Sequence, residues 1–211
     1  MIRTYVFIDA SNLFYGGEKS LGWKIDYRKL FLYLNRKYNA QKILFFGGAE
    51  THKFPYDYQT QESIPMLDLE AHLIDILRKH DVLSDADVVL IGRHLQRVRF
   101  FKKLEDFGYT LFIKPVKSYG QEDGVMKRKA NCDVDMAFYL MREQDNFDRV
   151  VVLSGDGDFL PVLKYLKNKG KDVLIMARGE ITAKEIRQFA GEKFMDFEYL
   201  KYVLGMTDKK Q

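Results

Sequence analysis

The reading of this chain turns on the stretch Arg149-Val-Val-Val-Leu-Ser-Gly-Asp-Gly-Asp-Phe-Leu-Pro161. Val150 to Leu153 is an unbroken apolar run of strand length, suited to burial on both faces of a sheet. It stops at Ser154, and Gly155-Asp156-Gly157-Asp158 intervenes before apolar periodicity resumes. The pattern predicts a strand, a glycine-rich turn and a helix start, with two carboxylates inside the turn. In open α/β sheets ligands bind just beyond the carboxyl ends of strands, which is where these acids fall. A plainer reading makes Asp158 the N-cap of the next helix, Gly157 the residue that permits the turn, and Pro161 a first-turn proline. Capping accounts for one aspartate and not for both. Like charges about 4 Å apart repel by roughly 4 kcal/mol at an effective dielectric near 20. A cluster of this kind is relieved by a cation or by a raised pKa.

The same theme recurs upstream. Residues 3–8 read as the first strand, and Asp9 follows it directly, with Ser11 and Asn12 close behind. The Asn12 amide can position a water or a phosphate without adding charge. Asp133 and Asp135 open a helix in which Val134, Ala137, Phe138 and Met141 are expected to share the buried face. Taken singly, Asp9 is also a helix cap, and Asp133 and Asp135 are ordinary acids of a first helical turn. Taken together, Asp9, Asp133, Asp156 and Asp158 offer carboxylates from three separate segments. Mg²⁺ and Mn²⁺ favour such donors alongside water and substrate phosphates.

The rest of the chain reads as alternating strands and helices. Asp26 caps a helix with Tyr27, Leu30, Phe31, Leu34 and Tyr38 on one stripe. Residues 42–46 form a strand closed by Gly47-Gly48, and 66–80 a helix with Leu69, Leu73, Ile76 and Leu77 on one side. Val88 to Ile91 reads as a short strand with no place in a sheet, inside a segment of about 82–95 that looks like an insertion, followed by a helix from 96 to 107. A strand over 109–116 leads into 117–131, a basic loop or hairpin without apolar periodicity. Gly170 stops the helix after the organising strand, Val173 to Met176 is a strand, Thr182 caps a further helix, and 194–197 is a last short strand. This order predicts one α/β domain over 1–204, a mainly parallel central sheet with helices on both faces, and a loose tail at 205–211.

Composition narrows the function classes. The 211 residues are 46% hydrophobic and 30% charged, an ordinary globular balance. A single cysteine, Cys132, excludes an internal disulfide and a cysteine-built zinc site. His52, His72, His80 and His94 are scattered along the sequence without metal-ligand spacing, and Walker-type and dinucleotide glycine motifs are absent. No apolar run is long enough to span a membrane, and no secretory pattern opens the chain, so a cytoplasmic protein is expected. The net charge of +4 is unevenly spread. Between Arg93 and Lys129 ten Lys/Arg face four acids, leaving that segment at +6 and the remainder at −2. A basic middle beside an acidic site suits a polyanion-processing surface, although a solvated helix face and hairpin fit the charge count equally well.

Three segments carry a family resemblance: Phe7-Ile-Asp-Ala-Ser-Asn12, Asn131-Cys-Asp-Val-Asp-Met-Ala137 and Val152-Leu-Ser-Gly-Asp-Gly-Asp-Phe159. In this order and spacing they resemble the motifs of NYN domains, the LabA-like branch of PIN-related nucleases, over about residues 1–200. The resemblance implies a PIN-like Rossmannoid fold and an Mg²⁺- or Mn²⁺-dependent endoribonuclease. Its site would stand on Asp9, Asp133, Asp156 and Asp158, with Asn12 assisting and RNA as partner. Ser11 and Ser154 would orient water or phosphate, and Lys127, Arg128, Lys129, Arg97 and Arg99 would grip the backbone. One departure stands out. Many members carry an acid six residues after the central aspartate, where this chain has Tyr139, which leaves Asp135 as the carboxylate nearest a second ion. A catalytically weak RNA-binding module of the same fold is the alternative, and a homodimer is compatible with either. An aspartate-nucleophile phosphatase ranks below both, because Ser11 stands where that class needs a second aspartate.

Overall fold

The computed structural model describes residues 2–14, 22–79, 83–120, 126–130 and 132–206, with backbone alone at 117–120 and 126–129. In chain order the strands and helices are β1 (Thr4–Asp9), α1 (Tyr27–Tyr38), β2 (Ala40–Ala49), α2 (Met66–Arg78) and α3 (Asp85–Phe107). They continue with β3 (Thr110–Pro115), the pair β4 (Lys117–Gly120) and β5 (Met126–Lys129), α4 (Asp133–Arg142) and β6 (Arg149–Leu153). The last are α5 (Leu160–Asn168), β7 (Asp172–Ala177), α6 (Lys184–Ala190), β8 (Phe194–Asp196) and α7 (Lys201–Leu204).

The six-stranded sheet has the order β3-β2-β1-β6-β7-β8. The β1–β2, β1–β6, β6–β7 and β7–β8 pairs are all parallel. The chain therefore winds outward from β1 on one side, returns to lay β6 against β1, and winds outward again on the other. This is the expected mainly parallel α/β fold, and its strand order reverses between β1 and β6. At such a switch point the connections leave in opposite directions, so a crevice opens beyond the two strand ends.

The chain divides into two compact units, one of Met1–Phe46, Gly108–Thr110 and Asp133–Gln211, the other of Gly47–Phe107 and Leu111–Cys132. In the first, β1 and β6 are buried almost throughout, as a strand covered on both faces must be. Asp26 caps α1 as expected, accepting from the Lys29 N–H, and Leu30, Leu34 and Tyr38 form its buried stripe. Gly170 ends α5 at φ 78°, a left-handed conformation that costs a glycine little.

In the second unit two expectations are corrected. Val88 to Ile91 is not a strand but part of α3, a continuous helix of 23 residues. Ser84 caps its start: the hydroxyl accepts from the Asp87 N–H at 3.2 Å and donates to the Asp87 carboxylate at 2.6 Å. Ile91, Leu95, Val98, Phe101 and Leu104 then keep helical period on the buried side, while Val89 is exposed. Nor do Gly47-Gly48 close β2, which runs on to Ala49. A Cβ on Gly48 would lie 2.2 Å from that of Ala130, so glycine here serves close backbone approach rather than a turn. The hairpin expected over 117–131 is present as the antiparallel β4–β5 pair, and residues 121–125 and 131 lie outside the described residues.

Three of the histidines, scattered along the sequence, meet in this unit. His52 Nε2 and His94 Nδ1 are 2.6 Å apart, and His72 Nε2 is 2.9 Å from the His52 carbonyl. His94 Nε2 lies 3.8 Å from the Glu50 carboxylate. The turn that presents His52 holds it and Lys53 at φ 47° and 65°, a left-handed pair without glycine. Each site sits on a different element, so linear spacing carried no trace of the convergence. His94→Ala removes the imidazole–imidazole bond and is expected to lower the unfolding free energy by about 1–2 kcal/mol, read from the urea midpoint. Arg93→Ala, at an exposed neighbour, should stay within about 0.5 kcal/mol of the parent.

Candidate active site

The site is built from the ends of β1 and β6 in the first unit. Asp9 is the last residue of β1 and only 5% exposed. Its Oδ1 accepts the backbone N–H groups of Ser11 and Asn12 at 2.9 and 3.1 Å, and its Oδ2 accepts the Ser154 hydroxyl at 3.2 Å. The Asn12 side-chain oxygen in turn accepts the Gly155 N–H at 3.0 Å. Two cross-links thus join the residues that follow one strand to those that follow its neighbour. The Ser154 hydroxyl also receives the Asp156 N–H at 3.3 Å, which ties the glycine-rich turn into the same network.

The turn itself corrects the capping assignment. Asp156, not Asp158, is the cap: its Oδ1 accepts the Asp158 N–H at 3.0 Å and opens a 3₁₀ turn over Gly157–Phe159. Asp158 is left exposed, and Pro161 occupies the first turn of α5 as expected. Glycine is needed at 155 because the loop before α6 presses on the turn, while Gly157 lies against the end of the Glu185 side chain on α6. A Cβ on Gly155 would stand 2.5 Å from the Thr182 hydroxyl and 3.0 Å from its Cα, and one on Gly157 would stand 2.5 Å from Glu185 Oε1. Thr182 is not a helix cap. Its hydroxyl donates to the Arg178 carbonyl at 2.6 Å, and α6 begins after Ala183 without a side-chain cap. Glu185 is a carboxylate beside the turn that the sequence reading did not include. Only its place in the first turn of a helix hints at it.

Helix α4 carries Asp133 and Asp135 in its first turn and packs against β1 and the 3₁₀ turn. Its buried face is Met136, Tyr139 and Leu140, whereas Val134 and Phe138, expected in the core, are exposed. The helix is apolar on two sides, and tertiary packing chose between them. Tyr139 stacks obliquely on Phe46 with ring centroids 5.6 Å apart, and the Arg142 guanidinium lies 3.9 Å from its ring centroid. The position where the resemblance implied an acid is therefore a core position.

Burial pushes the Asp9 carboxyl up to about 6, and the like charge of Asp133 adds to the rise. The hydrogen bonds from Asn12, Ser154 and Ser11 pull the other way. A buried carboxylate that faces a second carboxylate is the donor chemistry a hard divalent cation requires. As they stand, no three or more His, Cys, Asp or Glu among the described residues are arranged to hold a metal ion. Asp9 and Asp156 instead spend oxygens on nearby N–H groups, the local donors available to them. The donor set fits such an ion in its chemistry, with lone pairs left over on each carboxylate.

Asp9, Ser11, Asn12, Ser154, Asp156 and Asp158 are thus joined in one hydrogen-bonded network, with Asp133 coupled to it through charge and Asp135 half-buried on the same helical turn. The cations assigned to RNA belong to the other unit. There Glu70 takes both Arg99, at 2.9 Å, and Lys102, while the Arg97 guanidinium lies 5.7 Å from the Phe101 ring centroid. The side chains of Lys127, Arg128 and Lys129 on β5 lie outside the described residues.

Comparison with known proteins agrees with this architecture. A model of the NYN domain family matches residues 70–198. The low amplitude and bright protein LabA of Synechococcus elongatus is 21% identical over 213 residues, covering 99% of this chain and 91% of its own. Among solved structures, a protein of unknown function from Vibrio parahaemolyticus has the same fold, with a TM-score of 0.57 at 15% identity over 92% of both chains. The T5 5′-exonuclease with divalent metal ions (zinc) bound is a more distant likeness, with a TM-score of 0.44 at 13% identity over 88% of this chain and 60% of its own.

The raised Asp9 pKa has a stability consequence with a definite sign. Between about pH 4 and 6 the folded chain holds a proton on Asp9 that the unfolded chain has released, so this group's contribution is full below that window and lost above it. Without divalent metal, Asp9→Asn should match wild-type stability near pH 4 and exceed it by about 3 kcal/mol above pH 7. Urea unfolding in EDTA across that range checks it. The expectation fails if the difference between the two proteins does not change with pH.

Proposed function

The chain belongs to the NYN domain family, and from that premise we propose that it is a divalent-metal-dependent ribonuclease whose site is the crevice beyond β1 and β6. The observation that carries this reading is Asp9, a carboxylate withdrawn from water at the switch point of the sheet and raised in pKa opposite Asp133. A protein gains nothing in stability from two such groups side by side, and perturbed carboxylates in a crevice mark functional sites.

Asp9, Asp133, Asp156 and Asp158 would hold an ion of the Mg²⁺ or Mn²⁺ class, with Asp135 as a further donor. Such an ion, when bound, supplies a water acidic enough to attack phosphorus and positive charge for the oxygens of the phosphodiester. The chain's own part is to place these groups. The Asn12 carbonyl is committed to Gly155 N–H, so its amide N–H₂ is the end left to face a phosphate oxygen. The Ser154 hydroxyl, donating to the Asp9 carboxylate and accepting from the Asp156 backbone N–H, ties Asp9 to the turn that carries Asp156. Ser11 lies in the same turn. Lys127, Arg128, Lys129, Arg97 and Arg99 are proposed to contact the RNA backbone, Arg99 exchanging its bond to Glu70 for one to phosphate.

Tyr139 favours a second reading, an RNA-binding module that cleaves little, because its buried ring replaces a carboxylate the resemblance implied. Cleavage of a labelled RNA with Mn²⁺ or Mg²⁺ separates the two. Asp9→Asn and Asp156→Asn should each lower kcat by at least about a hundredfold. Asparagine keeps the acceptor oxygen and the size of the side chain, so the fold should persist in circular dichroism. An Asp9→Asn protein that cuts as fast as wild type sinks the site assignment. Salt-sensitive binding without metal-dependent cleavage selects the second reading.

A further inference from the structure

The ties between strand ends do not stop at β6. Strands β1, β6, β7 and β8 lie side by side in that order. Asp9 meets Ser154 and the Asn12 side chain meets Gly155, and the next partner is the loop after β7. From it the Ala183 N–H donates to the Gly155 carbonyl at 2.9 Å. That carbonyl and the Asp156 N–H belong to one planar peptide group and point to opposite edges of it. Ala183 holds the first edge, and the Ser154 hydroxyl holds the second at 3.3 Å. The peptide that leads into Asp156 is therefore gripped from both sides.

The loop that supplies the second grip is anchored on Arg178, the residue that follows β7. Its carbonyl accepts the Thr182 hydroxyl at 2.6 Å and the Thr182 and Ile181 N–H groups at 3.0 and 3.3 Å. Its guanidinium lies 3.5 Å from the carboxylate of Asp196, the last residue of β8, and the two side chains are only 12% and 15% exposed. Gly179 leaves room for that carboxylate, since a Cβ there would stand 2.5 Å from Asp196 Oδ2. Arg178 also reaches Glu198 at 2.6 Å and Glu180 at 2.8 Å, but those two acids are mostly exposed, and pairs so open to water contribute little. The withdrawn Arg178–Asp196 pair is the one that fixes the loop.

An ion pair between strand ends could steady the sheet and leave the acidic turn untouched. Here the loop touches the turn directly. Thr182 is buried, and its Cα would stand 3.0 Å from a Cβ on Gly155. Its hydroxyl bond to the Arg178 carbonyl holds it in that contact, one residue before the Ala183 N–H that grips the peptide. Resting on the nuclease reading of the site, we propose that Arg178 and Thr182 are positioning residues of the acidic turn. They set the plane of the Gly155–Asp156 peptide and so the place where the Asp156 carboxylate stands. Neither needs to meet the substrate. Side chains that orient a ligand from behind change metal affinity or rate by about ten- to a hundredfold.

Thr182→Val keeps the shape of the side chain and deletes its hydroxyl, and Thr182→Ser restores the hydroxyl. Amide hydrogen exchange, followed by NMR in EDTA, should quicken about fivefold at Asp156 and Ala183 in the valine variant, with Val151 and Val152 on β6 exchanging as in the parent. The serine variant should return to the parental pattern. Mn²⁺ affinity, read from the EPR signal of the free ion, should weaken about tenfold in Thr182→Val and in Arg178→Met. Cleavage should lose kcat by a similar factor at an unchanged KM for RNA. A valine variant whose Asp156 and Ala183 amides exchange as the parent's do overturns the proposal, even where Arg178→Met does not fold. So does quickening spread equally to Val151 and Val152, the mark of a role in stability alone. If the exchange pattern holds while wild type with Mn²⁺ cuts no RNA, the nuclease reading fails and the positioning role stands. If wild type cuts and the valine variant exchanges, binds Mn²⁺ and cuts as the parent does, the positioning role fails and the nuclease reading stands.

Discussion

A carboxylate out of water at the end of β1 is the constraint around which the first unit is arranged. Burying Asp9 is unfavourable, and three hydrogen bonds offset the cost without cancelling it, since its pKa remains raised. Each of those bonds has a structural consequence. The Ser11 and Asn12 N–H groups tie the carboxylate to the helical turn that follows β1, from which the Asn12 side-chain oxygen reaches the Gly155 N–H beyond β6. The Ser154 hydroxyl carries the tie across to the neighbouring strand. The same three interactions that make the carboxylate tolerable also assemble the walls of the crevice.

Topology supplies the setting in which that local chemistry can work. Because β6 returns to lie beside β1, residues 145 apart in sequence come within hydrogen-bond distance. The order of the strands reverses between these two, the place where α/β sheets hold their ligands. Gly155 then allows the loop before α6 to close down on the turn, at distances no Cβ would permit. Helix α4, lying on β1 and on the same turn, brings Asp133 close enough for its charge to be felt at Asp9. The remaining imbalance of charge is what a divalent cation would relieve.

Membership of the NYN domain family and the parallel sheet agree on the class of molecule. The substitution of a buried Tyr139 for an acid marks where this chain follows its own course. That ring supports the core through Phe46 and props Arg142 beside Phe138.

Much of this was legible in the residues themselves. An apolar run followed by an acid announced the ends of β1 and β6, Asp26 announced α1, and Gly170 ended α5, because each rests on local rules of backbone geometry and capping. The misread elements share a different cause. Val88 to Ile91 is too short a run to reveal its period, and the Ser84 cap that starts the helix lies upstream of it. Gly48 answers to Ala130, far along the chain. The two apolar sides of α4 were equivalent in sequence, and the histidines met only because three elements converged. Residue types and short spacings thus determined the elements and nominated the carboxylates. Which of them share a pocket, which face of α4 is hidden and which glycines face a neighbour were decided by tertiary structure, since those are properties of distances between remote segments that only packing sets.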